Sequence, residues 1–289
     1  MSVILTAVLT LGGMSVALAV ILVLVNRKLY VHQDPRIDVV EEMLPGSNCG
    51  ACGVPGCRAL AEALVVGDAL PGKCTVSSDE GRQVIASYLG VDVGTQEKVV
   101  ARLACAGGIN VSRKRASYQG QDTCRAAALV GGGGKSCSWG CLGLSDCADV
   151  CDFDAITMNE FSLPIVDVDR CTACGDCVEV CPKDLFELHP VSHQVWVACR
   201  SLVAGDEVLE DCEVACTACG RCAMDAPGEV IQIVNNLPVV DYDDRHAEAR
   251  GAIERCPTGA IVWLDGGDVE KGHDARKVLR RRPLPAAAT

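Results

Sequence analysis

KSCSWGCLGLSDCADVCDF (135–153) and DRCTACGDCVEVCPKD (169–184) carry eight cysteines in two groups of four. The first group is spaced C-x3-C-x5-C-x3-C and the second C-x2-C-x2-C-x3-C-P. Three thiolates two residues apart let one loop wrap a corner of a cuboidal iron–sulfur cluster, while the fourth, ahead of Pro182, is delivered to another cluster. The spacing predicts Cys137, Cys141 and Cys147 with Cys181 at one site, and Cys171, Cys174 and Cys177 with Cys151 at the other. The x5 step before Cys147 departs from the plain run and implies a loosened loop.

The rest of the composition agrees with metal-dependent architecture. Aromatics are only 3% of 289 residues and 20 residues are cysteine, so side-chain packing alone does not supply a conventional core for this length. Disulfides are the competing use of so many cysteines in an oxidising compartment. Tight C-x2-C and C-x3-C clustering reads as ligation instead. The formal charge of −12 argues against nucleic acid as a partner, because phosphate binding needs a cationic face. It suits docking to basic patches on redox partners, with a solvated acidic surface as the plain alternative.

Residues 3–25 contain no charge. At 1.5 Å per residue this is about 35 Å of helix, enough to cross a bilayer. A signal peptide would want positive charge before the apolar run and a cleavage site after it. Here Arg27 and Lys28 follow the run, which predicts a single-pass anchor (1–26) in the inner, cytoplasmic membrane with the cysteine-rich body on the cytoplasmic side. Gly12, Gly13 and Ser15 form a small-residue patch that suits the close approach of another helix.

Beyond a polar linker (27–44), Cys49, Cys52, Cys57 and Cys74 are spaced C-x2-C-x4-C-x16-C in a module of residues 45–95. A thioredoxin-like pair would want a βαβ pattern, and structural zinc favours two separated C-x2-C pairs. A [4Fe–4S] site fits better. A short helix ending near Gly67 is expected between Cys57 and Cys74. Ser77-Ser78-Asp79-Glu80 resembles a capping box opening a helix to Leu89. Residues 96–136 are expected as a connecting segment with isolated Cys105 and Cys124. Its GGGGKS (131–136) fails as a phosphate loop because position 129 is Leu, and reads as a flexible approach to Cys137.

A C-P-x-x-x-I signature recurs as CDFDAI (151–156), CPKDLF (181–186), APGEVI (226–231) and CPTGAI (256–261). It predicts an α+β chain with tandem bacterial-ferredoxin-like βαβ-type units, residues 137–190 and 216–265, joined by a segment 191–215. The second unit is degenerate. Cys216, Cys219 and Cys222 keep Cys256 as fourth ligand, but no cysteine stands near Arg245, Glu248 and Gly251, and position 226 is Ala. One cluster's four ligands are absent together. Sixteen cysteines thus make four [4Fe–4S] sites, and the remaining Cys105, Cys124, Cys199 and Cys212 suggest a fifth, against the alternative of buried free thiols. The five histidines have no zinc or haem spacing, no G-x-G-x-x-G dinucleotide fingerprint is present, and the basic, Pro/Ala-rich tail (266–289) reads as disordered.

The order of an apolar N-terminal helix, C-x2-C-x4-C-x16-C, KSCSWGCLGLSDCADVCDFDAI and CTACGDCVEVCPKDLFEL resembles the B subunit of Rnf-type electron-transport complexes over nearly the whole chain. The LACAGG, DTCRAA and VACRS segments look similar to those of longer members. The resemblance implies a subunit of a translocase that couples electron transfer between ferredoxin and NAD to movement of Na⁺ or H⁺, with other membrane subunits and soluble ferredoxin as partners. The one-cluster second unit departs from members with two complete units. The competing class is an iron–sulfur donor for another enzyme, such as a corrinoid protein-activating system, which the first cysteine motif also resembles.

Overall fold

The computed structural model describes residues 2–29, 33–242, 245–279 and 282–284. Helix α1 (Ser2–Leu29) carries a 25-residue apolar stretch, Leu5–Leu29, long enough to cross a membrane and not buried against the rest of the chain. Two hydroxyls in its apolar stretch are satisfied internally: Thr10 donates to the Thr6 carbonyl at 2.9 Å and Ser15 to that of Leu11 at 2.9 Å. Lipid, which offers no hydrogen-bond partners, requires this.

The expected linker 27–44 contains a helix. α2 (Arg36–Met43) places Ile37 and Val40 on one face, and Leu44 follows them into the core. They pack on Leu60, Ala61 and Leu64 of α3 (Cys57–Val66). Spacing of three and four residues makes such a stripe, and the Glu41-Glu42 pair obscures it in the sequence. Asp34 accepts the Arg36 backbone N–H at 2.9 Å and pairs with its guanidinium, which starts the helix. α4 (Asp79–Leu89) completes this module. Ser78 caps it by accepting the Gly81 N–H at 3.1 Å, and Gly90 ends it at φ 69°.

Both expected connecting segments also contribute strands. β1 (Val99–Leu103), from 96–136, pairs antiparallel with β4 (Phe186–Pro190). The hairpin of β2 (Ile156–Met158) and β3 (Pro164–Val166) lies between them in sequence. β5 (Val195–Val197), from 191–215, pairs with β8 (Ile261–Asp265) around a second hairpin, β6 (Ile231–Val234) and β7 (Leu237–Val240). Asn235 and Asn236 close that hairpin with φ of 49° and 66°, the paired positive values of a type I′ turn. Short helices carry the thiol loops: α5 (Cys124–Leu129), α6 (Asp146–Asp149), α7 (Asp176–Val180), α8 (Val208–Asp211) and α9 (Arg221–Asp225).

The two copies keep a fixed register. Ile156 and Ile231 open the hairpins, and Phe186 and Ile261 open the closing strands; each pair is 75 residues apart. The copies touch where the Trp196 indole N–H donates to the Leu103 carbonyl at 2.8 Å and the Ala106 N–H to the Ala198 carbonyl at 3.0 Å.

Part of the tail expected as disordered is ordered. β9 (Asp268–Lys271) adds to β8 across a Gly266-Gly267 turn, Arg276 donates its N–H to the Pro257 carbonyl at 3.1 Å, and Leu284 donates to that of Ile109 at 3.0 Å. Backbone hydrogen bonds hold this segment, and its charged, proline-bearing composition gives no sign of them.

Candidate metal centres

In the N-terminal module, Cys57 and Cys74 are buried and Cys52 packs against the same core, with Cys49 opening the loop. Asn48 accepts the Cys57 N–H at 2.8 Å, and the Ser77 hydroxyl donates to Cys74 Sγ at 3.1 Å. Gly56 sits at φ 97°, and a Cβ there would lie 2.8 Å from Asn48 Oδ1. Glycine is therefore required for Asn48 to hold the loop.

Cys151, Cys171, Cys174 and Cys177 line a single cavity with about 320 Å³ of space free of atoms. The Ala155 N–H donates to Cys151 Sγ and the Ala101 N–H, from β1, to Cys171 Sγ, both at 3.4 Å. Burial pushes the Cys177 thiol up to about 12. The metal-free Cys177 thiol is thus protonated at neutral pH, and ligation must expel its proton. Around the second hairpin Cys216 and Cys222 have Cys219 and Cys256 as neighbours, and burial pushes the Cys216 and Cys222 thiols up to about 11.

The four cysteines left over in the sequence do not come together. Cys105, Cys199 and Cys212 line a cavity with Cys137, with about 330 Å³ free of atoms. Cys124 lies elsewhere, beside Cys147 and Cys181. It heads α5, where Asp146 accepts the N–H of Cys124 at 2.7 Å and that of Arg125 at 3.1 Å. The GGGGKS segment is not a loose approach to these sites. A Cβ on Gly134, at φ 75°, would meet the Ala116 carbonyl at 2.2 Å. Lys135 Nζ donates to the carbonyls of Gly107 (2.6 Å) and Cys141 (2.5 Å).

Around the second hairpin, hydrocarbon fills the space. The strand register places the equivalents of Cys171, Cys174 and Cys177 at His246, Ala249 and Ala252, one residue beyond the positions expected from sequence. Ala226, Ala249, Ala252 and Ile253 pack there with Val230, Ile231 and Ile261. The structure also gathers three histidines that look scattered in sequence. His193 stacks on Tyr242 (4.0 Å, 2°), with His189 and His246 at its edges. Burial lowers His189 and His193, keeping them neutral. Only the packing of β4 beside Tyr242 creates this cluster, so no spacing announces it.

Thiol quartets with backbone N–H groups aimed at sulfur fit iron–sulfur clusters, whose negative charge such donors stabilise. Among the described residues no three His, Cys, Asp or Glu side chains converge closely enough for one metal ion. A tetrahedral zinc at about 2.3 Å from each sulfur would draw them together. Quartets of this kind on a body with a membrane-length helix define an iron–sulfur electron-transfer protein with one candidate membrane span.

Comparison with known proteins agrees. An Fe-S cluster family model matches residues 44–76, and the 4Fe-4S dicluster domain matches residues 136–185. The chain is 37% identical to the B subunit of the Na(+)-translocating ferredoxin:NAD(+) oxidoreductase complex of Acetobacterium woodii, over 93% of this chain and 79% of that protein. It is 36% identical to the B subunit of the ion-translocating oxidoreductase complex of Methanosarcina acetivorans (90% and 98%). It is 37% identical to the B subunit of the proton-translocating ferredoxin:NAD(+) oxidoreductase complex of Clostridium ljungdahlii (90% and 92%). The chain belongs to this family, the B subunits of Rnf-type ion-translocating oxidoreductase complexes.

Proposed function

We propose that this chain is the membrane-anchored electron wire of an ion-translocating ferredoxin:NAD oxidoreductase complex, passing electrons between soluble ferredoxin and the other subunits. Continuity of the thiol sites through one packed body carries the reading. The Thr75 hydroxyl donates to the Thr172 carbonyl at 2.8 Å, which ties the N-terminal module to the loop of Cys171 and Cys174. The Leu103–Trp196 and Ala106–Ala198 hydrogen bonds tie the first copy to the second.

On this reading the copies are tandem ferredoxin-like units, the second with one site. Four [4Fe–4S] clusters are held by Cys49, Cys52, Cys57 and Cys74 in the first module, by two sets of thiols around Cys147 and Cys177 in the first unit, and by Cys216, Cys219, Cys222 and Cys256 in the second unit. When bound, such clusters supply reversible one-electron chemistry. The protein's own residues hold them apart from water, donate N–H groups to sulfur and set the local charge. Arg27 and Lys28 put the body on the cytoplasmic side, where its net charge of −12 suits basic faces of redox partners. Residues 3–25 contain no ionisable side chain to carry an ion, so translocation belongs to other subunits.

The test is Cys177→Ala in the assembled complex. It should insert in the membrane normally, lose about four irons per chain and lose ferredoxin-dependent NAD reduction. Unchanged flux after that loss of iron would remove this site from the route.

A further inference from the structure

We infer that the two copies share a fifth iron–sulfur site, built from Cys105 and Cys137 of the first copy and the equivalent Cys199 and Cys212 of the second, with Cys124 serving instead beside Cys141, Cys147 and Cys181. This rests on the reading that the thiol quartets hold iron–sulfur clusters.

The register carries the argument. Cys137 and Cys212, Cys141 and Cys216, Cys147 and Cys222, and Cys181 and Cys256 are all 75 residues apart, as are the strands. Leu103 pairs with Phe186 and Val197 with Ile261, so Leu103 and Val197 are equivalent. Cys105 and Cys199 each stand two residues beyond them. Equivalent pairs from the two copies therefore face one cavity at the joint between the copies.

Hydrogen bonding repeats the same symmetry. Cys105 Sγ accepts the N–H of Gly107 and of Cys141, both at 3.4 Å. Cys199 Sγ accepts the N–H of Ser201 at 3.5 Å and of Cys216 at 3.3 Å, the equivalent donors. A Cβ on Gly107 would lie 3.1 Å from Cys212 Sγ and 3.6 Å from Cys105 Sγ, so both sulfurs crowd this residue. The space, about 330 Å³, matches the 320 Å³ of the ferredoxin-spaced quartet around Cys177. Lys135 and Arg200 line it too; the Arg200 guanidinium pairs with Glu187 through one terminal nitrogen, while its Nε is buried without an acceptor. Two cations suit the negative charge of a four-thiolate cluster.

The exchange also explains the x5 step. In the second copy Cys219 fills the interval between Cys216 and Cys222; its equivalent in the first copy is Leu144. Cys124 instead lies beside the Leu144 backbone. The longer interval from Cys105 to Cys137, against Cys199 to Cys212, is the insertion that carries Cys124 to the place of the missing thiol.

Iron and acid-labile sulfide per purified full-length chain, with electron paramagnetic resonance, test this. The unaltered chain should hold about twenty irons, four per cluster, and about sixteen would overturn the shared site. The pair Cys105→Ala/Cys137→Ala removes two ligands of one site and should lose one cluster, leaving the other signals as the record of folding. Cys105→Ala/Cys124→Ala should disturb two clusters. The reverse pattern would restore the sequence-based grouping and overturn the exchange. Cys199→Ala/Cys212→Ala separates existence from grouping, since retention of all iron there would abolish the fifth site and leave the other four standing. Milder Cys137→Asp and Cys212→Asp variants should alter the same resonance, and different ones would overturn the assignment. A chain without iron would instead refute the proposed function itself.

Discussion

Lys135→Gln should lower the midpoint potential of the shared site. The Lys135 ammonium is fixed by two carbonyls at 2.5 and 2.6 Å and lines the cavity of Cys105, Cys137, Cys199 and Cys212. A cation there favours the more negative, reduced form, so its removal favours the oxidised form. With an effective dielectric of about 20 and a charge separation on the order of 6 Å, the attraction is about 2.8 kcal/mol. That is about two decades in the reduction equilibrium, or ~120 mV for a one-electron couple. Partial exposure of Lys135 and salt screening reduce the expected fall to roughly half of that. The assay is a redox titration of the purified chain followed by electron paramagnetic resonance, with Lys135→Arg as the charge-preserving control. An unmoved potential in Lys135→Gln, or an equal fall in Lys135→Arg, would refute the electrostatic argument.

Other outcomes follow from the packing and the caps. Ile253→Ala, in the hydrocarbon that stands where the second copy has no ligands, should cost about 2–5 kcal/mol and no iron; calorimetry with iron analysis separates the two. Asp146→Ala removes the acceptor for two N–H groups at the start of α5 and should cost about 1 kcal/mol, with faster iron loss to a chelator from the site beside Cys124. Ser77→Ala deletes the hydroxyl that donates to Cys74 Sγ and should lower the potential of the N-terminal site alone, as read by the same titration. Burial raises Cys177, Cys199 and Cys212 from 9.0 to about 12 in the metal-free fold. The unfolded chain releases those protons first, so metal-free stability should be full below pH 9 and fall between about 9 and 12. Melting temperatures across that range should show the fall in the metal-free chain and not in the cluster-loaded one.

Spacing makes much of this chain legible because ligand loops are local. Cys171, Cys174 and Cys177 announce themselves within seven residues, and the recurring C-P-x-x-x-I falls at the 75-residue interval that separates the two hairpins. Capping chemistry at Ser78 and the glycine stop at Gly90 place α4. Long-range pairing escapes the same treatment. β1 and β5 are five and three residues long, too short for a periodic signal, yet their partners lie far along the chain. Without that pairing, Cys105 and Cys199 look like leftovers. Spacing says nothing of the surroundings of Cys124 for the same reason: adjacency to Cys147 depends on Asp146 receiving the α5 N-terminus, a contact across 22 residues. α2 is hidden because three acidic residues, Asp38, Glu41 and Glu42, sit on a short helix whose buried stripe is only Ile37 and Val40, continued by Leu44.

The hydrocarbon-filled half of the second copy bears on biogenesis. Of the ten buried residues in that cluster Cys222 is the sole thiol, whereas Cys147 and Cys177 are two of the five around β1 and β4. Hydrocarbon contacts of this kind can consolidate in a newly made chain before any iron arrives. Its strand β5 leads directly to Cys199, and Cys222 and Cys256 border it. The hydrocarbon core beside β5 is a scaffold that can hold the thiol loops in place for cluster delivery.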